Sequence, residues 1–187
     1  MTTLLSPNIQ SRQSPFVAGI LAPEHQILLS QTIVQPPDIQ PVAWDYGEKL
    51  QSRSLPDNLL HLLPVVRTIV RAAQLTPRSE REFLMMMVFQ QPADTINSPG
   101  FSWHKDSFHK DFRRAVVSDR LGTRYRTLDG SEHTTPDYGI LVLNEKTSHA
   151  PNETVDDSTR TLLLISRMLV RTKALFDLDY FDRYDVR

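Results

Sequence analysis

The segment of residues 101–108, Phe-Ser-Trp-His-Lys-Asp-Ser-Phe, places a histidine and an aspartate two residues apart. Alternate residues of an extended strand project to the same side. His104 and Asp106 can therefore present an imidazole and a carboxylate together, and such a pair can hold two adjacent positions on a divalent metal. A third ligand from another strand would complete a facial set.

A second histidine, His149, suits that third position because it follows the apolar run of residues 140–143, where a strand would end. Two histidines and one aspartate leave about three positions on an octahedral iron for a bidentate cosubstrate and dioxygen. A structural zinc site would need four ligands, and the sequence suggests no fourth. The chain has no cysteine, which excludes Cys-ligated zinc and iron–sulfur sites. The pattern favours an oxygenase site.

An arginine stands at the head of a strongly apolar run. Arg160 comes eleven residues after His149 and precedes Thr-Leu-Leu-Leu-Ile. A buried, unpaired charge is costly, so this arginine needs an anionic partner. A planar guanidinium binds a carboxylate through two parallel hydrogen bonds, so Arg160 is a candidate carboxylate anchor.

The order of these features resembles the iron(II)- and 2-oxoglutarate-dependent dioxygenases. The likeness covers roughly residues 83–167 and is carried by these features: His104-x-Asp106, Gly139-x-Leu141, the phrase His-Ala-Pro-Asn from His149, and Arg160. The resemblance implies a mostly β fold, the double-stranded β-helix or jelly roll, with one or a few supporting helices.

The same resemblance implies a site and a reaction. His104, Asp106 and His149 would bind Fe(II), and Arg160 would bind the far carboxylate of the cosubstrate 2-oxoglutarate. With O2, the expected reaction couples decarboxylation of 2-oxoglutarate to hydroxylation of a substrate.

The sequence departs from the family pattern in two ways. His-Lys-Asp occurs twice, and we expect the first copy to be the metal pair because it follows the loop directly and leaves about ten residues before the next strand. His109 and Asp111 then belong to a solvated turn or lie beside the metal or substrate. Leu162 replaces a serine that often assists the arginine. We expect Tyr125 to supply the missing hydroxyl, with Thr123 and Ser118 as alternatives; a packed aromatic is the other interpretation of Tyr125.

Three residues are candidates for substrate binding. Trp103 could wall the pocket or fill the core, and Arg124 or Arg126 could bind a substrate carboxylate or phosphate. Charged residues on strands usually face solvent, and we apply that interpretation to the other arginines nearby, which are Arg113, Arg114 and Arg120.

The elements that must position these residues are mainly strands. A buried strand is predicted over residues 82–91. Three more strands are predicted over residues 114–125, 138–147 and 160–167, in an antiparallel sandwich or barrel. Before them, short strands are predicted over the two ranges 16–21 and 26–34. Apolar residues at helical spacing predict a helix over 59–75, which Pro64 bends or starts late.

The length and the net charge of the chain limit the class of protein to which it can belong. The 187 residues carry 21 Lys and Arg against 22 Asp and Glu, for a formal charge of -1, which does not suggest nucleic acid or an acidic membrane surface. No run approaches the roughly 18 apolar residues of a spanning helix. We expect one cytoplasmic domain over 1–187, with N-terminal strands, loops and a helix (1–80), a jelly-roll core (81–170) and a tail (171–187).

Several functions are compatible with these features. The leading hypothesis is hydroxylation of a small molecule, such as an amino acid or a biosynthetic intermediate. A peptide or protein hydroxylase would instead show an open groove near residues 94–100. A non-catalytic jelly-roll binding protein would lack the Arg160 anchor, and in a β-rich interaction protein the three proposed ligands would not meet.

Overall fold

The computed structural model of the chain describes residues 14–32, 38–42, 44–45, 49–50, 57–79, 82–91, 103–106, 113–152 and 159–169. The helices are α1 (Pro23–Ser30), a 3-10 helix (Asp57–Leu62) and α2 (Leu63–Ala72). The strands are β1 (Phe16–Ile20), β2 (Asp38–Val42), β3 (Trp44–Asp45), β4 (Lys49–Leu50), β5 (Glu82–Gln91), β6 (His104–Lys105), β7 (Arg113–Ser118), β8 (Thr123–Arg126), β9 (Glu132–Thr134), β10 (Gly139–Asn144), β11 (Ser148–Pro151) and β12 (Arg160–Leu169).

Two antiparallel sheets form the body of the fold. The larger sheet has the order β1-β10-β7-β12-β5-β2, and the smaller sheet has the order β6-β11-β8-β9. From β5 onward the chain alternates between the sheets, with β8 and β9 as a hairpin in the smaller one. This alternation is the winding of a double-stranded β-helix, so the expected jelly-roll fold is confirmed.

The two faces of the larger sheet have different partners. On β7, Ala115 and Val117 belong to the apolar core that includes the buried residues of α2, whereas Val116 belongs to a second cluster with Leu162 and Leu164 of β12. Tyr125 of the smaller sheet packs against this second cluster, which therefore lies between the sheets. We call this side the interior face. Because strand residues alternate, even-numbered residues of β7 and β12 share it.

Strands from the N-terminal part of the chain complete the larger sheet. β1 pairs with β10 at one edge, and β2 pairs with β5 at the other. The predicted strand over residues 16–21 is confirmed, but the one over 26–34 is wrong, because residues 23–30 form α1. Pro23 stands in the first turn of this helix, where its fixed φ favours helical geometry and no N–H is missed. Leu29 buries against the core.

The amphipathic segment is helical, as predicted, but it begins as a 3-10 helix. α2 starts only at Leu63, with Pro64 in its first turn. A proline there costs no hydrogen bond, whereas deeper in the helix it would remove one. The buried residues of α2 are Val65, Val66, Ile69 and Val70.

The predicted strand over residues 114–125 is two strands joined by a turn. Leu121 and Gly122 in that turn have φ of 66° and 59°. A Cβ at Gly122 would collide with the carbonyl oxygen of Thr135, so this position needs glycine for space as well as for conformation. In the part of the chain that the structure describes, no helix has the length and apolarity to cross a membrane.

Candidate metal centre

Antiparallel pairing brings two histidines together on the smaller sheet. His104 of β6 is the register partner of His149 of β11, so both side chains lie on the same side of the sheet. Asp106 follows β6 and turns its carboxylate toward both rings, with Oδ1 3.8 Å from Nε2 of His104 and Oδ2 3.4 Å from Nε2 of His149. One ligand atom from each residue lies within 4.8 Å of the others. The structure thus brings together the three residues that the sequence suggested as ligands.

The three side chains differ in their access to solvent. The side chain of His149 is 8% exposed and that of Asp106 is 14% exposed, whereas that of His104 is 44% exposed. A ligand from solvent can therefore approach the set from the His104 side.

A buried arginine that the sequence analysis assigned to solvent lies beside this set. Nη1 of Arg114 donates to Oδ2 of Asp106 at 2.5 Å, and its Nε donates to Oγ of Ser166 at 2.8 Å. The side chain of Arg114 is only 7% exposed. That expectation was wrong because Arg114 shares the interior face with Val116, and its charge is compensated there by Asp106. Arg114 alternates with Val116 and Ser118 along the strand, and this alternation could have indicated that Arg114 faces the interior.

The surroundings of Asp106 favour its charged form. Burial by itself raises the pKa of this carboxyl group, but the hydrogen bond from His149 and the charges of Arg114, His149 and His104 outweigh burial. Together they lower the pKa from 3.8 to about 2. Asp106 is therefore an anionic ligand near neutral pH.

A cavity of about 110 Å³ extends between the sheets from the three-ligand set. His104, His149 and Arg114 line it near the metal site, and Arg160 and Thr123 also line it. The other lining residues are Val116, Ala150, Pro151, Leu162 and Leu164. A cavity with a ligand set and a separate guanidinium, joined by apolar walls, suits a short molecule that carries an anionic group at each end.

Arg160 is a deeply buried cation, at 2% exposure. Nη1 donates to the carbonyl oxygen of Gly122 at 2.8 Å. Burial lowers the pKa of the guanidinium to about 10, although the charge of Asp119 opposes this effect. Arg160 therefore remains positive at neutral pH and can bind a carboxylate from the cavity.

The hydroxyl that should assist Arg160 has several candidates. Leu162 lines the cavity and offers none, whereas Thr123 lines the same cavity and is buried. Tyr125 packs against the interior apolar cluster and stacks on His133, with ring centroids 5.3 Å apart. The Ser118 hydroxyl donates to the carbonyl of Arg120. Thr123 is thus placed best, and a cosubstrate contact from Tyr125 stays a prediction.

The candidate substrate residues form a group of their own. The guanidinium carbons of Arg126 and Arg124 lie 4.0 and 5.3 Å from the ring centre of Trp103. Arg126 also pairs with Glu132. Along the chain, residues 103, 124 and 126 alternate with residues that face the cavity, so their side chains point to the other side. Accordingly, Trp103, Arg124 and Arg126 do not line the cavity beside the candidate metal ligands. Their role toward a substrate stays a prediction.

Other residues considered in the sequence lie outside the described part of the chain. These are the second His-Lys-Asp copy, with His109 and Asp111, the loop of residues 94–100, and the tail of residues 171–187.

The donor set agrees with a resident metal. Two imidazoles and one carboxylate that converge from neighbouring strands form the 2-His-1-carboxylate pattern typical of non-heme Fe(II) oxygenases, which leaves coordination positions for other ligands. Among the described residues, this is the one group of three or more His, Asp or Glu that could hold a metal ion.

Comparisons with known proteins support the fold and leave the family unassigned. No protein-family model matches the chain, and neither does any curated protein sequence. Among solved structures, the chain is similar to IDO from Bacillus thuringiensis, with 12% identity over 90% of this chain and 98% of that chain and a TM-score of 0.50. It is similar to the apo form of the non-heme monooxygenase ThoJ, with 14% identity over 87% and 76% of the two chains and a TM-score of 0.50.

EvdMO1 gives a similar match, with 10% identity over 83% of this chain and 47% of that chain and a TM-score of 0.50. At such identities the likeness is one of fold. The chain therefore shares its jelly-roll fold with a non-heme monooxygenase.

Proposed function

We propose that this protein is a non-heme oxygenase that uses Fe(II), 2-oxoglutarate and O2 to hydroxylate a C–H bond of a small molecule. The observation that carries the proposal is that one cavity is lined by His104 and His149, two of the three candidate ligands, and by the buried Arg160. A metal site alone would fit many proteins, but a cationic anchor in the same cavity is what a dicarboxylate cosubstrate needs.

Different residues of the chain would bind the metal and the cosubstrate. His104, Asp106 and His149 would hold Fe(II), and Arg160 would bind the far carboxylate of 2-oxoglutarate. Bound together, the metal, the 2-oxo acid and dioxygen supply the oxidising chemistry, in which 2-oxoglutarate yields succinate and carbon dioxide. The apolar residues Val116, Leu162 and Leu164 line the cavity between these groups and keep water away from the methylene carbons of the cosubstrate.

A small substrate is consistent with the surroundings of the site. The substrate would approach from the side of His104, the most exposed ligand. Three of the connections that the structure describes, over residues 119–122, 127–131 and 145–147, are short turns that add little surface for a macromolecular partner. We therefore favour a small molecule over a peptide or protein.

An anaerobic titration of the metal-free protein with Fe(II), then with 2-oxoglutarate, tests the proposal. We expect a weak visible charge-transfer band when the 2-oxo acid chelates the metal. After oxygen is admitted, succinate should form. His104→Ala should abolish the band, whereas His133→Ala, which changes an exposed histidine two strands away from His149, should keep it.

The alternatives give different results. A band without succinate, even with a panel of amino acids and related metabolites, would favour a binding protein with no turnover. Loss of the band in His109→Ala but not in His104→Ala would assign the metal to the second His-Lys-Asp copy. Absence of any band in the wild type would overturn the proposal.

A further inference from the structure

We infer that Arg114 is a positioning residue that sets how Asp106 binds the metal. The inference rests on the proposed function, because it concerns the same metal site. Arg114 contacts the candidate ligand Asp106, so its effect on the reaction would pass through the Asp106 carboxylate. It goes beyond the ligand set, since nothing in the 2-His-1-carboxylate pattern requires an arginine at this place.

The contacts of Arg114 hold its guanidinium in one orientation. Arg114 of β7 and Ser166 of β12 are register partners, and Nε of the arginine donates to the serine hydroxyl at 2.8 Å. Ser166 is 1% exposed, so water does not compete for this hydrogen bond. The opposite end of the guanidinium then reaches Asp106, with Nη1 2.5 Å from Oδ2.

This arrangement restrains the carboxylate. Asp106 follows β6, a strand of only two residues at the sheet edge. A metal ligand at this place has little backbone support. The guanidinium ties Asp106 to the centre of the larger sheet, through β7 and β12. With Oδ2 held in this way, Asp106 would offer one oxygen to a metal and would not chelate it with two. One-oxygen binding keeps coordination positions open for the cosubstrate and dioxygen.

Two effects of Arg114 oppose each other and can be separated. Orientation of the carboxylate favours metal binding, whereas the positive charge of the guanidinium repels a cation. Arg114→Met removes both effects, and Arg114→Lys keeps the charge but loses the planar fork that spans Ser166 and Asp106. If orientation dominates, both variants bind metal more weakly, and the lysine variant is at least as weak as the methionine variant.

The test uses Mn(II) and the metal-free full chain, without 2-oxoglutarate or oxygen. Affinity is measured by calorimetry, the coordination of bound Mn(II) by electron paramagnetic resonance, and folding by thermal unfolding. We expect Arg114→Met and Arg114→Lys to lose roughly 10- to 100-fold in Mn(II) affinity, the usual effect of removing a group that orients a ligand. The resonance spectrum should change as Asp106 binds through both oxygens.

Two further variants complete the test. Ser166→Ala keeps the charge pair and removes the hydrogen bond that orients it, so it should lose roughly 2- to 10-fold in affinity. This variant decides the matter if the substitutions of Arg114 prevent folding. Arg113→Met, at the neighbouring position on β7, is the matched control and should bind Mn(II) as the wild type does.

The outcomes separate this inference from the proposed function. A wild type that binds Mn(II), together with Arg114 and Ser166 variants of equal affinity and identical spectrum, would overturn the inference and leave the oxygenase proposal standing. Tighter binding by Arg114→Met would also overturn it, because Arg114 would then act only as a competing charge. A wild type that binds no Mn(II) would overturn both.

Discussion

The imidazole rings of His104 and His149 have their centroids 4.3 Å apart because the two residues are register partners on adjacent antiparallel strands. Strand pairing alone therefore sets the separation of two proposed metal ligands that are 45 positions apart in the sequence. β6 is only two residues long and lies at the sheet edge, so β11 determines where both rings lie.

The histidine of β11 should be indispensable for metal binding. His149→Ala removes a nearly buried candidate ligand whose Nε2 lies 3.4 Å from Oδ2 of Asp106, and we expect Fe(II) affinity to fall by more than the roughly 10- to 100-fold typical of changes around a site. Anaerobic calorimetry with Fe(II) measures this loss. His133→Ala is the matched control, and an equal loss in both variants would show that His149 acts only through folding.

Arg160 should determine preference for a dicarboxylate. Replacement by methionine removes a buried guanidinium that lines the cavity and should weaken 2-oxoglutarate binding by about 1.5–3 kcal/mol, or roughly 10- to 150-fold. The comparison ligand is 2-oxopentanoate, which has the same chain length without the far carboxylate. The wild type should prefer 2-oxoglutarate, and Arg160→Met should lose that preference.

The readout for Arg160 is the ligand concentration at half-maximal charge-transfer absorbance. Arg120→Met, a substitution at a half-exposed arginine near the same end of the jelly roll, should leave both concentrations unchanged. An unchanged preference in Arg160→Met would place the cosubstrate carboxylate elsewhere.

Gly122 should be needed for both folding and the anchor. Gly122→Ala places a Cβ against the carbonyl oxygen of Thr135 at φ of 59°, so the backbone must move, and the carbonyl that accepts from Arg160 moves with it. We expect a loss in the free energy of unfolding beyond the about 1–3 kcal/mol of an unfavourable backbone conformation. Weaker 2-oxoglutarate binding should accompany it.

Gly130→Ala tests backbone strain without a steric collision, because Gly130 has φ of 86° and a Cβ there would meet open space. Urea unfolding of the two variants should show the larger loss at Gly122. Equal losses would mean that the turn of residues 119–122 adapts without disturbing its neighbours.

Asp106 should make the metal-free protein acid-sensitive. Its pKa in the folded protein is lowered to about 2, so its charged form stabilises the fold above about pH 4, and this contribution is lost as the pH falls from 4 toward 2. The shift corresponds to about 2 kcal/mol. The stability advantage of the wild type over Asp106→Asn should therefore shrink between pH 6 and pH 3.

Urea unfolding in the presence of a chelator, at a series of pH values, measures that difference. Asp106→Asn also removes the carboxylate that interacts with His104 and His149, so the difference reports Asp106 together with its coupling to these two histidines. A difference that stays constant from pH 6 to pH 3 would show that the charge of Asp106 does not stabilise the folded state.

Much of the jelly roll could be predicted from the sequence, because its strands carry local signals. The continuous apolar run of β5 and the spacing of His104, Asp106 and His149 are visible without a structure. α1 was missed because its short apolar run fits a strand as well as a helix, although Pro23 in its first turn favours a helix start.

Arg114 was missed for a different reason. Whether a charged strand residue faces solvent or the interior depends on the register of β7 against β12, and register is a long-range property. The pairing of β1 and β2 with the two edges of the larger sheet depends on such contacts as well. The local sequence of these strands does not encode their neighbours.

The central position of β12 also bears on how the protein is made. This strand lies between β5 and β7, yet among the described strands it is the last to leave the ribosome. Until then, β5 and β7 each have an edge of unpaired backbone N–H and C=O groups that is open to aggregation. We expect ribosome-bound chains that stop before Arg160 to depend on chaperones, and the larger sheet to close only after translation of β12.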